Sequence, residues 1–151
     1  MTGESYNRSP VGRLVVRGEP LISAEKTLGE PAAAGMLVTC DGNDYKAKKH
    51  VAGTKPVGWI GYEDTDCKIR PTSYDTPFRS GDTVTVISGG QFELYAIATG
   101  PATIASGDLL TSNGDGTLKL ADADEYAVAI ACESVTVTAS ATGRVHVKTM
   151  I

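Results

Sequence analysis

Aromatic side chains are scarce in this chain, with two Phe, six Tyr and one Trp among 151 residues. Any core must therefore be assembled mainly from Val, Ile, Leu and Ala. Cysteine is scarcer still. Cys40, Cys67 and Cys132 are odd in number and show no CxxC spacing, which argues against a disulfide framework or a structural zinc site and leaves free, buried or half-buried thiols. The two histidines, His50 and His146, have no Cys, Asp or second His at ligand spacing. Both read as solvated or edge-strand side chains, and no metal is expected. No apolar run approaches the ~18–20 residues that cross a bilayer. The first residues, Met-Thr-Gly-Glu-Ser-Tyr-Asn-Arg, lack the apolar stretch of a signal peptide. The expectation is no membrane partner and synthesis in a cytoplasm. Positive charge is also short: the net charge is −4, and Lys46, Lys48, Lys49 and His50 form a small basic knot with acidic residues close on both sides. Neutralising a phosphate backbone needs more than this, so no direct nucleic-acid partner is expected.

What the chain has in quantity is turn-formers, 17 Gly and seven Pro, together with β-branched Val and Thr. That combination favours many short strands over long helices. Residues 1–34 read as an extended N-terminal arm: a polar opening through Pro10, then Leu14-Val15-Val16 and Leu21-Ile22, then a segment cut short by Gly29 and Pro31. From Gly35 onward the texture is strand-turn-strand. Leu37-Val38-Thr39 runs into the turn Asp41-Gly42-Asn43-Asp44. Thr83 to Ile87 alternates cleanly, and Asn113-Gly114-Asp115-Gly116 is a tight-turn signal. Residues 35–151 are expected to form an all-β body, a small β-barrel or β-tulip-like domain.

That body contains an internal duplication, residues 35–87 against 107–151. Gly35 to Gly42 matches Gly107 to Gly114 in length and in its central Leu-hydrophobic-Thr. Tyr45-Lys46 is set against Leu118-Lys119. Val57 to Glu63 is set against Ala127 to Glu133, and Gly81, Val84 and Val86 against Gly143, Val145 and Val147. The first copy carries extra residues between Asp64 and Pro77. Two β units of this kind would close on each other and hide their apolar faces. Gly58, Gly61, Ala129 and Ala131 are expected where strands cross a tight centre.

The search for chemistry finds little. No Gly-x-Ser-x-Gly elbow, His-Glu-x-x-His or P-loop occurs. No catalytic residue and no cofactor are expected. Glu63 and Glu133 occupy matching places in the two copies and form the best paired-carboxylate candidates. The plainer role for them is structural, accepting backbone N–H groups at strand ends. Trp59 reads as core rather than as an interface anchor.

Ser80-Gly81-Asp82-Thr83-Val84, Ser106-Gly107-Asp108-Leu109-Leu110, the small-residue run Ala127 to Glu133 and the final Gly143 to Val147 resemble the small head-decoration (capsid cement) proteins of tailed phages and related viruses. The likeness covers Gly81 to Met150, with Gly35 to Glu63 following through the duplication. It implies a non-enzymatic virion protein on the capsid surface, a homotrimer whose partner is the major capsid protein and which stabilises the expanded shell. Tyr6, Val11, Leu14, Val15, Val16 and Ile22 are then the capsid-contact candidates, acting by strand addition from the arm. Competing readings are a tail or fibre component, an enzyme using Glu63 and Glu133, and a small-ligand or carrier β-module. The carrier needs a Lys at a hairpin tip, whereas Lys46 and Lys119 follow their turns.

Overall fold

The alternation at Thr83–Ser88 makes a strand whose successive side chains face opposite ways, and the rest of the chain reuses the device. The structure, a computed structural model, describes residues 13–63, 65 and 68–151. Among them the chain forms strands and no helix. In order these are β1 (Val15–Arg17), β2 (Ile22–Leu28), β3 (Leu37–Cys40), β4 (Lys46–Lys49), β5 (Gly58–Ile60) and β6 (Thr83–Ser88). Then come β7 (Glu93–Thr99), β8 (Ala102–Ile104), β9 (Leu109–Ser112), β10 (Leu118–Leu120), β11 (Ala129–Ala131), β12 (Val135–Val137) and β13 (Thr142–Thr149).

The strands close into two five-stranded barrels, β2-β4-β3-β5-β6 and β7-β10-β9-β11-β13, the second ring closed by the β7–β13 pairing. Each ring has one parallel pair, β2 with β4 and β7 with β10, and antiparallel pairs elsewhere. The duplication is therefore architectural. Its matched hydrogen bonds fix the correspondence: Gly35 N–H donates to Ile60 O at 2.7 Å and Gly107 N–H to Ala131 O at 2.8 Å. Ile60 thus answers to Ala131 and Trp59 to Ile130, one residue away from the sequence pairing. In the hairpins, Thr39 faces Lys48 and Thr111 faces Lys119, so the counterpart of Lys119 is Lys48 rather than Lys46. Val84 and Val86 do correspond to Val145 and Val147, and all four are buried.

β3, β5 and β6 are buried on both faces: Leu37 and Val38, Trp59 and Ile60, and each residue from Val84 to Ile87 lie out of solvent. Alternation means one face lines the barrel and the other is covered by the rest of the body. Trp59 is fully buried core. Gly58 is forced by close approach, since a Cβ there would sit 2.6 Å from Ile87 O.

Over residues 13–34 this topology corrects the expected arm. β2 contributes six register pairs to β6, from Ile22 opposite Ser88 to Thr27 opposite Thr83, and without it the first barrel would not close. β1 pairs antiparallel with β7, Val15 opposite Leu94 and Arg17 opposite Glu93. Leu14 and Val15 are core residues and Val16 is half-buried. Leu14 and Val15 are buried inside the body, which removes these two as surface contacts, while Val16 keeps part of its side chain exposed. Tyr6 and Val11 lie outside the described residues. Ile22, at the start of β2, remains exposed.

Candidate functional site

The long loop between β5 and β6, the extra segment of the first copy, brackets the two barrels together. Arg144 on β13 reaches across with Nη1 donating to Ala34 O (2.6 Å) and Tyr95 O (2.9 Å), and Nη2 to Tyr74 O (2.7 Å). Its Nε meets Asp75 Oδ1 at 2.8 Å, and its guanidinium lies over the Tyr74 ring. Burial pulls the Arg144 pKa down, opposed by the Asp75 carboxylate. Tyr62, Tyr74, Tyr95 and His146 form a continuous run of ring contacts along the same line. His50 makes a second bridge. It is buried rather than solvated, with Nδ1 2.6 Å from Ser112 Oγ on the second barrel and Nε2 2.8 Å from Thr54 O. A carbonyl can only accept, so Nε2 carries a proton.

Glu63 and Glu133 each hold backbone. Glu63 accepts the Leu14 and Val15 N–H groups, which pins β1. Glu133 accepts the His146 N–H at 2.8 Å.

Among the large apolar side chains left in solvent, four are carried by backbone segments that neighbour one another. Leu21 and Ile22 are 80% and 58% exposed, Tyr126 87% and Met150 48%. Backbone hydrogen bonds place these segments side by side: Leu21 N–H donates to Gly89 O, Gly89 N–H to Ile151 O, and Met150 N–H to Val128 O. Leu21 lies over Gly89 and Gly90, its side chain 3.3 and 3.2 Å from where a Cβ on each would stand. Next to Ile151 opens a cleft of about 680 Å³, lined among others by His50, Pro56, Ser112, Tyr126 and Val128. Exposed apolar area of this kind, rimmed by polar groups, marks contact surfaces. Of the sequence candidates among the described residues, Ile22 alone belongs to it. Leu21, Tyr126 and Met150 were missed because three distant segments build the strip. Their signal was local apolarity without a period.

A different side of the second barrel brings Glu93 (β7), Cys132 (after β11) and His146 (β13) together, although no sequence spacing links them. Their ligand atoms all lie within 4.8 Å of one another, and His146 Nε2 is 2.7 Å from Glu93 Oε1. Burial and the Glu93 charge push the Cys132 thiol up, against the pull of Lys148 and Arg17.

No protein-family profile and no curated protein matches the sequence. Among solved structures the chain is similar to one described as the head fiber gp8.5 N base in bacteriophage phi29. The likeness spans 85% of this chain and 92% of that one, with a TM-score of 0.58 and 18% sequence identity. It is a likeness of fold. The all-β body of two barrel units therefore has a counterpart among solved proteins.

Proposed function

We propose that the chain is a structural virion protein of a tailed-phage-type particle that docks on the outside of the capsid. What carries the reading is the shared two-barrel architecture, which extends over 92% of a chain described as the base of a phage head fiber. The apolar strip of Leu21, Ile22, Tyr126 and Met150 is the surface the reading assigns to the shell, in place of an arm formed by residues 1–34. A homotrimer presenting three such strips to major capsid subunits would bind by multivalency, each contact weak and the sum strong. The reading gives Glu63 and Glu133 structural work only and needs no cofactor.

Two versions differ in consequence. A decoration protein clamps neighbouring capsid subunits and stabilises the expanded shell. A fibre base only anchors, and the description of the similar phi29 protein favours that version. The test is co-sedimentation with shells of the major capsid protein from the same genome, freed of this chain, followed by thermal challenge. Binding with a raised shell-disruption temperature supports the cement version. Binding without it supports the fibre base, and protein that stays in the supernatant at saturating concentration sinks both.

A further inference from the structure

We propose that Glu93, Cys132 and His146 form a binding site for a divalent cation of the zinc class. The three side chains supply one carboxylate oxygen, one sulfur and one imidazole nitrogen, a donor set zinc accepts with a water in the fourth position. They project from neighbouring strands of a closed barrel. Glu93 stands on β7, His146 on β13 opposite Tyr95, and Cys132 is tied to β13 through its N–H to His146 O at 2.8 Å. Their backbone positions are therefore fixed before any ion arrives.

The dimensions suit the ion. The atoms fall within 4.8 Å of each other, with the nitrogen–oxygen edge at 2.7 Å. Metal–ligand lengths of about 2.0–2.3 Å put tetrahedral donors roughly 3.3–3.7 Å apart. An entering ion must open the nitrogen–oxygen edge to that spacing, a change that rotation about side-chain bonds can supply. The site is partly sheltered, the Glu93 and His146 side chains being 15% and 20% exposed. Tyr95 lies against the imidazole, and the Glu133 carboxylate fixes the His146 backbone. Arg17, opposite Glu93 in register, and Lys148 stand nearby. Their charge opposes a cation, and the carboxylate and thiolate answer it.

The duplicated scaffold supplies an internal comparison. The registers of the two barrels put Ser23, Gly61 and Thr85 at the positions of Glu93, Cys132 and His146. The fold therefore does not require these residue types there, and the donor set occurs in one copy alone. Binding forms three bonds to the ion; the Cys132 thiol proton passes to solvent, and the proton that His146 Nε2 directs at Glu93 leaves that nitrogen so that its lone pair faces the ion. Nothing is oxidised or reduced.

The experiment is a cobalt(II) titration of the full chain, reduced and stripped with a chelator. The expected result is near-ultraviolet thiolate-to-cobalt absorption with the visible bands of four-coordinate cobalt. It should saturate at one equivalent, be displaced by zinc, and be lost in Cys132→Ser and His146→Ala. Cys40→Ser should keep it. Zinc should also raise the melting temperature of the wild type in a concentration-dependent way and leave that of Cys132→Ser unchanged. The proposal is overturned by a wild-type chain that shows no such band at stoichiometric cobalt, or by a band that survives Cys132→Ser. Circular dichroism of the isosteric serine variant establishes that it is folded. This outcome is independent of capsid binding.

Discussion

Arg144 on β13 and Asp75 in the long β5–β6 loop meet at 2.8 Å, and through this contact the second barrel grips the segment that distinguishes the first copy from the second. The guanidinium serves three carbonyls besides, those of Ala34, Tyr74 and Tyr95. Replacing it by methionine keeps the volume and removes its hydrogen bonds to all three. The expected cost is about 3 kcal/mol, read as a fall in the urea midpoint. Arg144→Lys should recover only part, because an ammonium cannot fork to several carbonyls at once. An unchanged midpoint in Arg144→Met would show that the bracket carries no stability.

Glu63 holds β1 to the body. Glu63→Ala should cost about 1–3 kcal/mol and, more specifically, speed amide hydrogen exchange at Leu14 and Val15 while leaving β9 and β11 protected. Protection at Leu14 and Val15 equal to wild type would mean that the β1–β7 pairing suffices without the carboxylate.

Gly58 sits where β5 presses on β6. Gly58→Ala puts a methyl 2.6 Å from Ile87 O and 2.9 Å from Val86 Cγ1, and overpacking of this sort costs about 1–3 kcal/mol. Gly58 also holds φ +153°, so backbone strain adds to the clash, whereas Gly42, at φ +84° with open space around it, would show backbone strain alone. Thermal melts of Gly58→Ala against wild type provide the measurement.

Asp115 sets one limb of the pH profile. Partial burial opposes its charge, but hydrogen bonds from the Thr117 hydroxyl and N–H prevail and hold the carboxyl below the ordinary aspartate range. A depressed folded pKa contributes stability that is complete above the unfolded value of about 3.9. That stability is lost as pH falls from there through the lowered native one. The difference in stability between wild type and Asp115→Asn should therefore be constant at neutral pH and shrink below about pH 4. A difference that stays flat into strong acid would refute the assignment.

The apolar strip separates binding from folding. Leu21→Asp and Tyr126→Asp change exposed positions, where substitutions usually shift stability by no more than about 0.5 kcal/mol. If the strip meets the shell, each should weaken capsid binding about tenfold or more, corresponding to about 1.4 kcal/mol. Sedimentation isotherms equal to wild type would move the contact elsewhere on the body.

The β character of the chain, its hairpins at Asp41–Asp44 and Asn113–Gly116, and its duplication were readable from the residues alone. Alternation and turn chemistry act over two to five positions, and each copy repeats them. Which strands close which ring was not readable. Leu14 and Val15 look like a loose apolar fragment until Leu94 and Glu63 are beside them, and Ile22 belongs to a barrel only because β6 pairs with it from across the first unit. The same holds for Glu93, Cys132 and His146, and for the strip from Leu21 to Met150. Local preference is written in adjacent residues. Burial, side-chain convergence and exposed surface depend on pairings between residues far apart in the chain, which exist only once both barrels have closed.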